Sequence, residues 1–364
     1  MKKNFYANKP GKLEYKNMGH EFRPYVLFTN AENYRTSIVN TDRLGFRKTF
    51  FKNKLIGIDE LSKHSTSQNI IIGGSTAFSM GSTSDKTTIN SILNTSGNLW
   101  FSLGIRGAVG HQELITFLTF KRFFSKIKNI IIFSGLNDVI MCAEKHSMYY
   151  NDFGGILGSS VERFHAGYLQ SSSFFESKLI KGRANLIHLV SYLSYKSNFF
   201  KFLLRNLFSK FKTSKLQKKT INFSSSLTFK KKLSNLEKLI ENDFQIWSAL
   251  SKQFNINITY ILQPTATWTQ RRPTSNEKEI ISYEKKRIKN YFNYDFTKKN
   301  LYKTYKNFLK KTCQKNSIKF YDANELIVKA KKDKDIFIDY THLSDYGNSF
   351  IAKTIIDIVK NKNK

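Results

Sequence analysis

The chain has 364 residues, 40% hydrophobic and 15% aromatic, which suits a large packed core. Lysine and arginine number 60 against 27 acidic residues, a formal net charge of +33 that by itself invites a polyanion or an anionic membrane as partner. No nucleic-acid motif accompanies that charge, the two cysteines lack the paired spacing of a zinc site or a disulfide framework, and no uncharged apolar run reaches the roughly 18 residues of a membrane span.

Residues 1–65 read as an N-terminal arm and extended segment packing on a core of residues 66–364. The first 20 residues are polar and basic, the composition of a mobile arm. No apolar stretch follows the basic start as in a secretory leader. With two cysteines, Cys142 and Cys313, at no useful spacing, the expected setting is reducing and cytoplasmic, at most peripheral to the inner membrane. Pro24–Phe28 and Ser37–Arg47 suggest two short strands at the sheet edge. Arg43 and Arg47 either pack there or approach an anionic substrate.

The core begins with Asn69-Ile70-Ile71-Ile72, then Gly73 and Gly74. A continuous apolar run bounded by glycine fits a parallel strand covered on both faces. The glycines allow a turn too sharp for residues with a Cβ. Ser75 then stands at the carboxyl end of a strand and near the start of a helix, the edge where open α/β sheets bind ligands. Thr88–Leu93 suits a short helix. Leu99–Leu103 is a second strand, followed by Gly104-Ile105-Arg106-Gly107. Gln112–Phe124 carries Leu114, Ile115, Leu118 and Phe124 at helical spacing. Asn129–Phe133 is a third strand, followed by Ser134-Gly135-Leu136-Asn137-Asp138. Strand, turn and helix alternate, which predicts a parallel sheet with helices on both faces.

Residues 140–232 break the rhythm and read as a helical insertion, a candidate lid. Within it, 198–212 places Phe199, Phe200, Leu203, Leu204, Leu207, Phe208 and Phe211 on one helical face, with Lys201, Arg205, Lys210 and Lys212 around them. A basic amphipathic helix can lie on an anionic membrane. The commoner use of such a stripe is burial against a core. The rhythm then resumes: a helix over Ser234–Phe254, a strand over Asn257–Leu262 ending at Gln263-Pro264, and a helix over Asn276–Tyr291. That helix has Ser275 as its cap and Glu277 and Glu279 in its first turn. A helix over Leu301–Lys315, a strand over Ile318–Tyr321 and a last helix capped by Ser344 or Asp345 complete the chain.

Polar groups follow three strands: Ser75, Gly107 and Asn137. Near the C-terminus comes Asp339-Tyr340-Thr341-His342. In a parallel sheet these strand ends share one edge. Serine is a weak nucleophile until a base takes its proton. His342 can be that base near neutral pH, and Asp339 can fix its tautomer and stabilise the imidazolium. The Ser75 and Gly107 N–H groups and the Asn137 amide are candidate donors to an oxyanion. His111 either lines the pocket or opens the helix after Gly107. His20, His64, His146, His165 and His188 have no partner at useful spacing, and no metal-ligand cluster is visible.

Gly74-Ser75, Gly107, Gly135-Leu136-Asn137-Asp138 and Asp339-Tyr340-Thr341-His342 stand in the order of the SGNH (GDSL-type) hydrolase superfamily, which the chain resembles over roughly residues 66–139 and 256–360. The resemblance implies a flavodoxin-like three-layer α/β/α sandwich with a parallel sheet, to which the N-terminal arm and the helical insertion are added. It implies a Ser75–His342–Asp339 triad with an oxyanion hole from Ser75, Gly107 and Asn137, and no cofactor or metal. Asn40–Arg47, Gln263-Pro264 and Glu277 also look like a bacterial subgroup associated with surface-polysaccharide gene sets. Two departures stand out. Gly74 replaces the aspartate of many members. Ser102 stands where an asparagine often does, leaving Gly104 as an alternative to Gly107.

The expected activity is therefore a serine esterase acting on an O-acetyl or other short acyl ester of a carbohydrate or small molecule. An O-acyltransferase on a surface polysaccharide is the alternative in which a sugar hydroxyl replaces water. A lipid acylhydrolase held on an anionic membrane by 198–212, and a non-catalytic protein binding a polyanion through its basic surface, are the other readings.

Overall fold

The computed structural model describes residues 12–64, 67–144, 150, 227–292 and 294–360. The chain divides into two compact units, residues 1–145 with 232–364, and residues 146–231. The first carries the sheet. The amphipathic stretch 198–212 and most of the predicted insertion 140–232 lie outside the described residues.

A short helix, α1 (Lys12–Asn17), leads into two antiparallel pairs: β1 (His20–Arg23) with β2 (Leu27–Asn30), and β3 (Thr49–Phe51) with β4 (Lys54–Ile56). From Lys12 onward the predicted mobile arm is instead packed. Tyr15 and Met18 are buried in a cluster with Val39 and Phe78. The Tyr15 hydroxyl donates to the Ser82 carbonyl at 2.8 Å and accepts from Arg47 Nη1 at 2.7 Å. Arg47 is fully buried, and its Nε donates to Asp85 Oδ1 at 2.8 Å. Its remaining donors reach the Ser79 and Ile38 carbonyls, both at 2.8 Å. Asn40 Nδ2 donates to the other Asp85 oxygen at 2.7 Å. A guanidinium presents its donors in a rigid fork, and here protein acceptors meet that fork. Arg47 thus clamps the arm to the segment after Ser75 and is not open to substrate, while Arg43 pairs with Asp59 on the surface at 2.6 Å. Replacing Arg47 with Met strands the Asp85 carboxylate in the interior. The expected loss is about 3–5 kcal/mol of unfolding free energy, read from urea denaturation, as for other broken buried pairs.

Five strands form the main sheet: β5 (Gln68–Gly73), β6 (Leu99–Ser102), β7 (Ile127–Ser134), β8 (Asn257–Leu262) and β9 (Lys319–Asp322). They are all parallel, in the order β6-β5-β7-β8-β9. Taken in sequence this is the 2-1-3-4-5 order of flavodoxin-like sheets, with its switch point at β5. The isoleucines that mark β5 and β7 are buried to 2% exposure or less on both faces of the sheet, each worth roughly 1.5–3 kcal/mol of transfer free energy.

Alternation along the strands sorts them into two layers. Ile71, Ile131, Phe133 and Ile261 pack with Ile89 and Leu93 of α2 (Ile89–Leu93) and with Ile351 and Ile355 of the last helix. On the opposite face lie α3 (Gly110–Phe120), α4 (Leu136–Ala143) following β7, and α5 (Phe229–Phe254). There Tyr260 packs on Phe244 with ring centres 5.3 Å apart, and Phe117 on Trp247 at 5.2 Å. The architecture is a three-layer α/β/α sandwich.

Beyond β8 come α6 (Ser275–Tyr291), α7 (Lys299–Lys315), α8 (Ala323–Leu326) and α9 (Asp345–Lys360). Thr274, not Ser275, caps α6: its hydroxyl accepts from the Glu277 N–H while Glu277 reaches back to the Thr274 N–H, a capping box. Ser344 caps α9, its hydroxyl accepting from Gly347 N–H at 3.0 Å. No described helix is long and apolar enough to cross a membrane.

Candidate active site

Ser75 sits just beyond β5 at the carboxyl edge of the sheet. Gly73 leaves β5 against β7, where an added Cβ would lie 2.2 Å from the Phe133 carbonyl oxygen. No other residue type fits there without moving a strand. The segment after Ser75 is a run of turns rather than the predicted helix. Phe78 N–H donates to Gly74 O and Met80 N–H to Ser75 O, at 3.1 and 2.9 Å. Within that run Ser79 has φ of 57°. Its left-handed backbone is held from outside: Arg47 takes its carbonyl and Ile89 N–H donates to its hydroxyl at 3.0 Å.

Asp339 and His342 lie on a loop between α8 and α9 closed like a hairpin. Ile338 N–H donates to His342 O at 2.9 Å, and Phe337 bridges Leu343. The base of this loop is fixed by Glu277, which is 1% exposed. One Glu277 oxygen accepts from Ile336 and Phe337 N–H at 2.8 and 3.2 Å, and the other from Arg271 Nη1 at 2.6 Å. Asp339 Oδ1 accepts the Thr341 and His342 N–H groups at 2.9 and 2.7 Å, so the spacing of three is used in a loop.

The three side chains converge. His342 Nδ1 donates to Asp339 Oδ2 at 2.6 Å, which leaves Nε2 to accept from the Ser75 hydroxyl at 2.8 Å. Burial by itself would raise the Asp339 carboxyl. The His342 charge and the hydrogen bonds from His342 and Thr341 outweigh it and hold the group below the ordinary carboxylate range. The Asp339 and His342 side chains are 15% and 13% exposed.

Asn137, one of the candidate oxyanion donors, lies against Gly74, the residue before Ser75. Gly107 is exposed, with φ of +83°, and its N–H has no partner among the described residues. The next carbonyl, Ala108 O, accepts from Asn137 Nδ2 at 2.6 Å. One Asn137 N–H is thereby fixed and the second is left to donate. Gly74 adjoins both groups: a Cβ there would stand 2.4 Å from Asn137 Nδ2 and 3.4 Å from Ala108 O. Asp138 ties this corner together, accepting Gly110 N–H at 3.0 Å across the starts of α3 and α4.

Gly104, the alternative to Gly107, is buried with its N–H given to Ser102 Oγ at 3.1 Å. Ser102 in turn donates to Ala77 O at 2.8 Å. Asn30, from the N-terminal arm, braces this loop: Nδ2 donates to Gly104 O at 3.2 Å, and Oδ1 accepts Arg106 N–H at 3.1 Å. His111 does open α3, and its Nδ1 pairs with Asp243 at 2.9 Å, a contact that raises its pKa. That pairing keeps it out of the serine's immediate surroundings. No group of three His, Cys, Asp or Glu side chains suited to a metal occurs among the described residues.

Serine, imidazole and carboxylate in hydrogen-bonded series form the arrangement by which an imidazole base can activate a serine for acyl transfer. No family model matches the chain, and no curated protein matches it. Among solved structures it is similar to an acetyl xylan esterase, at 12% identity and a TM-score of 0.38 over 80% of this chain and 99% of that one. It is similar to a GDSL-like lipase from Bacteroides thetaiotaomicron, at 11% identity and TM-score 0.37 over 83% and 95% of the two chains. It is also similar to an extracellular lipase from Streptomyces rimosus, at 9% identity and TM-score 0.38 over 80% and 99%.

Proposed function

We propose that the protein is a serine ester hydrolase working by two-step acyl transfer. The observation that carries this is His342 bonded through one nitrogen to Asp339 at 2.6 Å and through the other to Ser75 at 2.8 Å. Ser75 Oγ attacks the ester carbonyl carbon while its proton passes to His342 Nε2. Asp339 stabilises the imidazolium. The carbonyl oxygen, now negative, takes hydrogen bonds from Asn137 Nδ2 and from the Ser75 and Gly107 N–H groups. Collapse of the tetrahedral intermediate breaks the bond to the alcohol oxygen, which leaves with the His342 proton. Water, deprotonated by His342, then attacks the acyl-enzyme and releases the acid and free Ser75.

The substrate proposed is an O-acetyl or other short acyl ester of a carbohydrate, a reading that rests on the SGNH resemblance of the strand-end motifs. Chromogenic acetyl and long-chain acyl esters test it. Faster turnover of the acetyl ester is expected; preference for the long chain would move the substrate to lipids. Serine acylation without hydrolysis would point to a sugar hydroxyl as acceptor. Asn137→Ala is expected to lower kcat by about 10²–10³-fold, the cost of one oxyanion donor. An unchanged kcat would remove Asn137 from that role.

A further inference from the structure

Gln263 follows β8, continuing its ladder through an N–H bond to Ser134 O at 2.9 Å. Its side chain, 3% exposed, turns toward the site. Nε2 donates to Thr76 Oγ1 at 3.1 Å and to Thr341 Oγ1 at 3.0 Å. Thr76 is the residue after Ser75, and Thr341 is the residue before His342. Both threonines are buried, at 1% and 5% exposure. One amide thus spends both of its N–H groups on the chain neighbours of the nucleophile and the base.

We infer that Gln263 is a positioning residue that ties the Ser75 turn to the His342 loop and sets the line between Ser75 Oγ and His342 Nε2. This rests on the acyl-transfer reading of the site. Ser75 and His342 are 267 residues apart in sequence and arrive on separate elements. A single hydrogen bond between them contributes little net free energy, too little on its own to fix a proton-transfer geometry between two separate loops. Misplacement by about 1 Å costs on the order of 10²-fold in rate. The frame behind Gln263 is itself braced: Asn324 Nδ2 donates to the Gln263 carbonyl at 3.2 Å and to Asp322 Oδ1 at 2.9 Å.

The test uses the full chain and a fluorophosphonate, whose reaction with serine reports the Ser75–His342 alignment. Gln263→Met keeps the length of the side chain and removes both donors. The second variant, Thr76→Val with Thr341→Val, removes both acceptors at constant shape and decides the matter if Gln263→Met does not fold. Both are expected to lower the maximal labelling rate by about 10²-fold with the reagent's binding constant unchanged. Combining all three substitutions should cost no more than either variant, because they break the same link. A purely structural glutamine would lower the melting temperature and leave the labelling rate of folded protein untouched. Labelling of folded variants at the wild-type rate therefore overturns the inference alone. Failure of the wild type to label overturns the acyl-transfer reading and the inference with it.

Discussion

Ser75→Ala is expected to lower ester turnover by about 10⁶-fold, the cost of removing a triad serine in this chemistry. Among the described residues, Ser75 Oγ is the nucleophile bonded to His342 Nε2. The fold should be indifferent. Ser75 Oγ makes one hydrogen bond, to a partly exposed partner, and the tight approach of β5 to β7 depends on Gly73. Surface changes of this kind fall within about 0.5 kcal/mol. Turnover measured beside a melting curve separates the two. Retained turnover in the folded variant would remove Ser75 from the mechanism.

Asp339→Asn is the second large effect, with an expected loss of about 10⁴-fold in kcat. An amide in place of the carboxylate can present its NH₂ to His342 Nδ1. The imidazole proton then moves to Nε2, facing Ser75, where a proton acceptor is needed. The same substitution has a signature in stability. The Asp339 carboxyl is held below its ordinary range in the folded protein, chiefly by the opposition of His342 to burial. Its contribution to stability is full above the ordinary carboxylate range and disappears as pH falls through the depressed value. The stability gap between wild type and Asp339→Asn, from urea unfolding, should accordingly be larger at neutral pH than in acid. A gap that widens in acid would contradict the depressed carboxyl.

The first three strands are legible because they are apolar runs flanked by glycine, and the run Asn257–Leu262, closed by Gln263-Pro264, coincides with β8 to the residue. The Ser75, Asn137 and His342 stretches were legible because in a parallel sheet order along the chain becomes neighbourhood along one edge. Other features left no local trace. The sequence around Arg47 leaves open whether it packs at the sheet edge or meets a substrate, because its buried partner Asp85 lies 38 residues on. His111 lacks a partner nearby because Asp243 lies 132 residues away. Polar side chains satisfied by such distant groups do not alter local periodicity. The turns after Ser75 defeated the helical expectation for a similar reason, since Arg47 and Ile89 N–H hold Ser79 in a left-handed conformation. In sequence Gln263 marks a strand end, Glu277 the first turn of a helix, and both belong to a resemblance; none of these discloses their partners. Their hydrogen bonds give them physical roles, one between the two loops of the site and one beneath the His342 loop.

The most direct measurement is to treat the wild-type protein with a fluorophosphonate, digest it, and locate the adduct by mass spectrometry. One adduct per chain is expected, on the peptide carrying Ser75, absent in Ser75→Ala and strongly slowed in Asp339→Asn. An adduct on another residue, or no adduct on folded protein, would contradict a His342-activated Ser75.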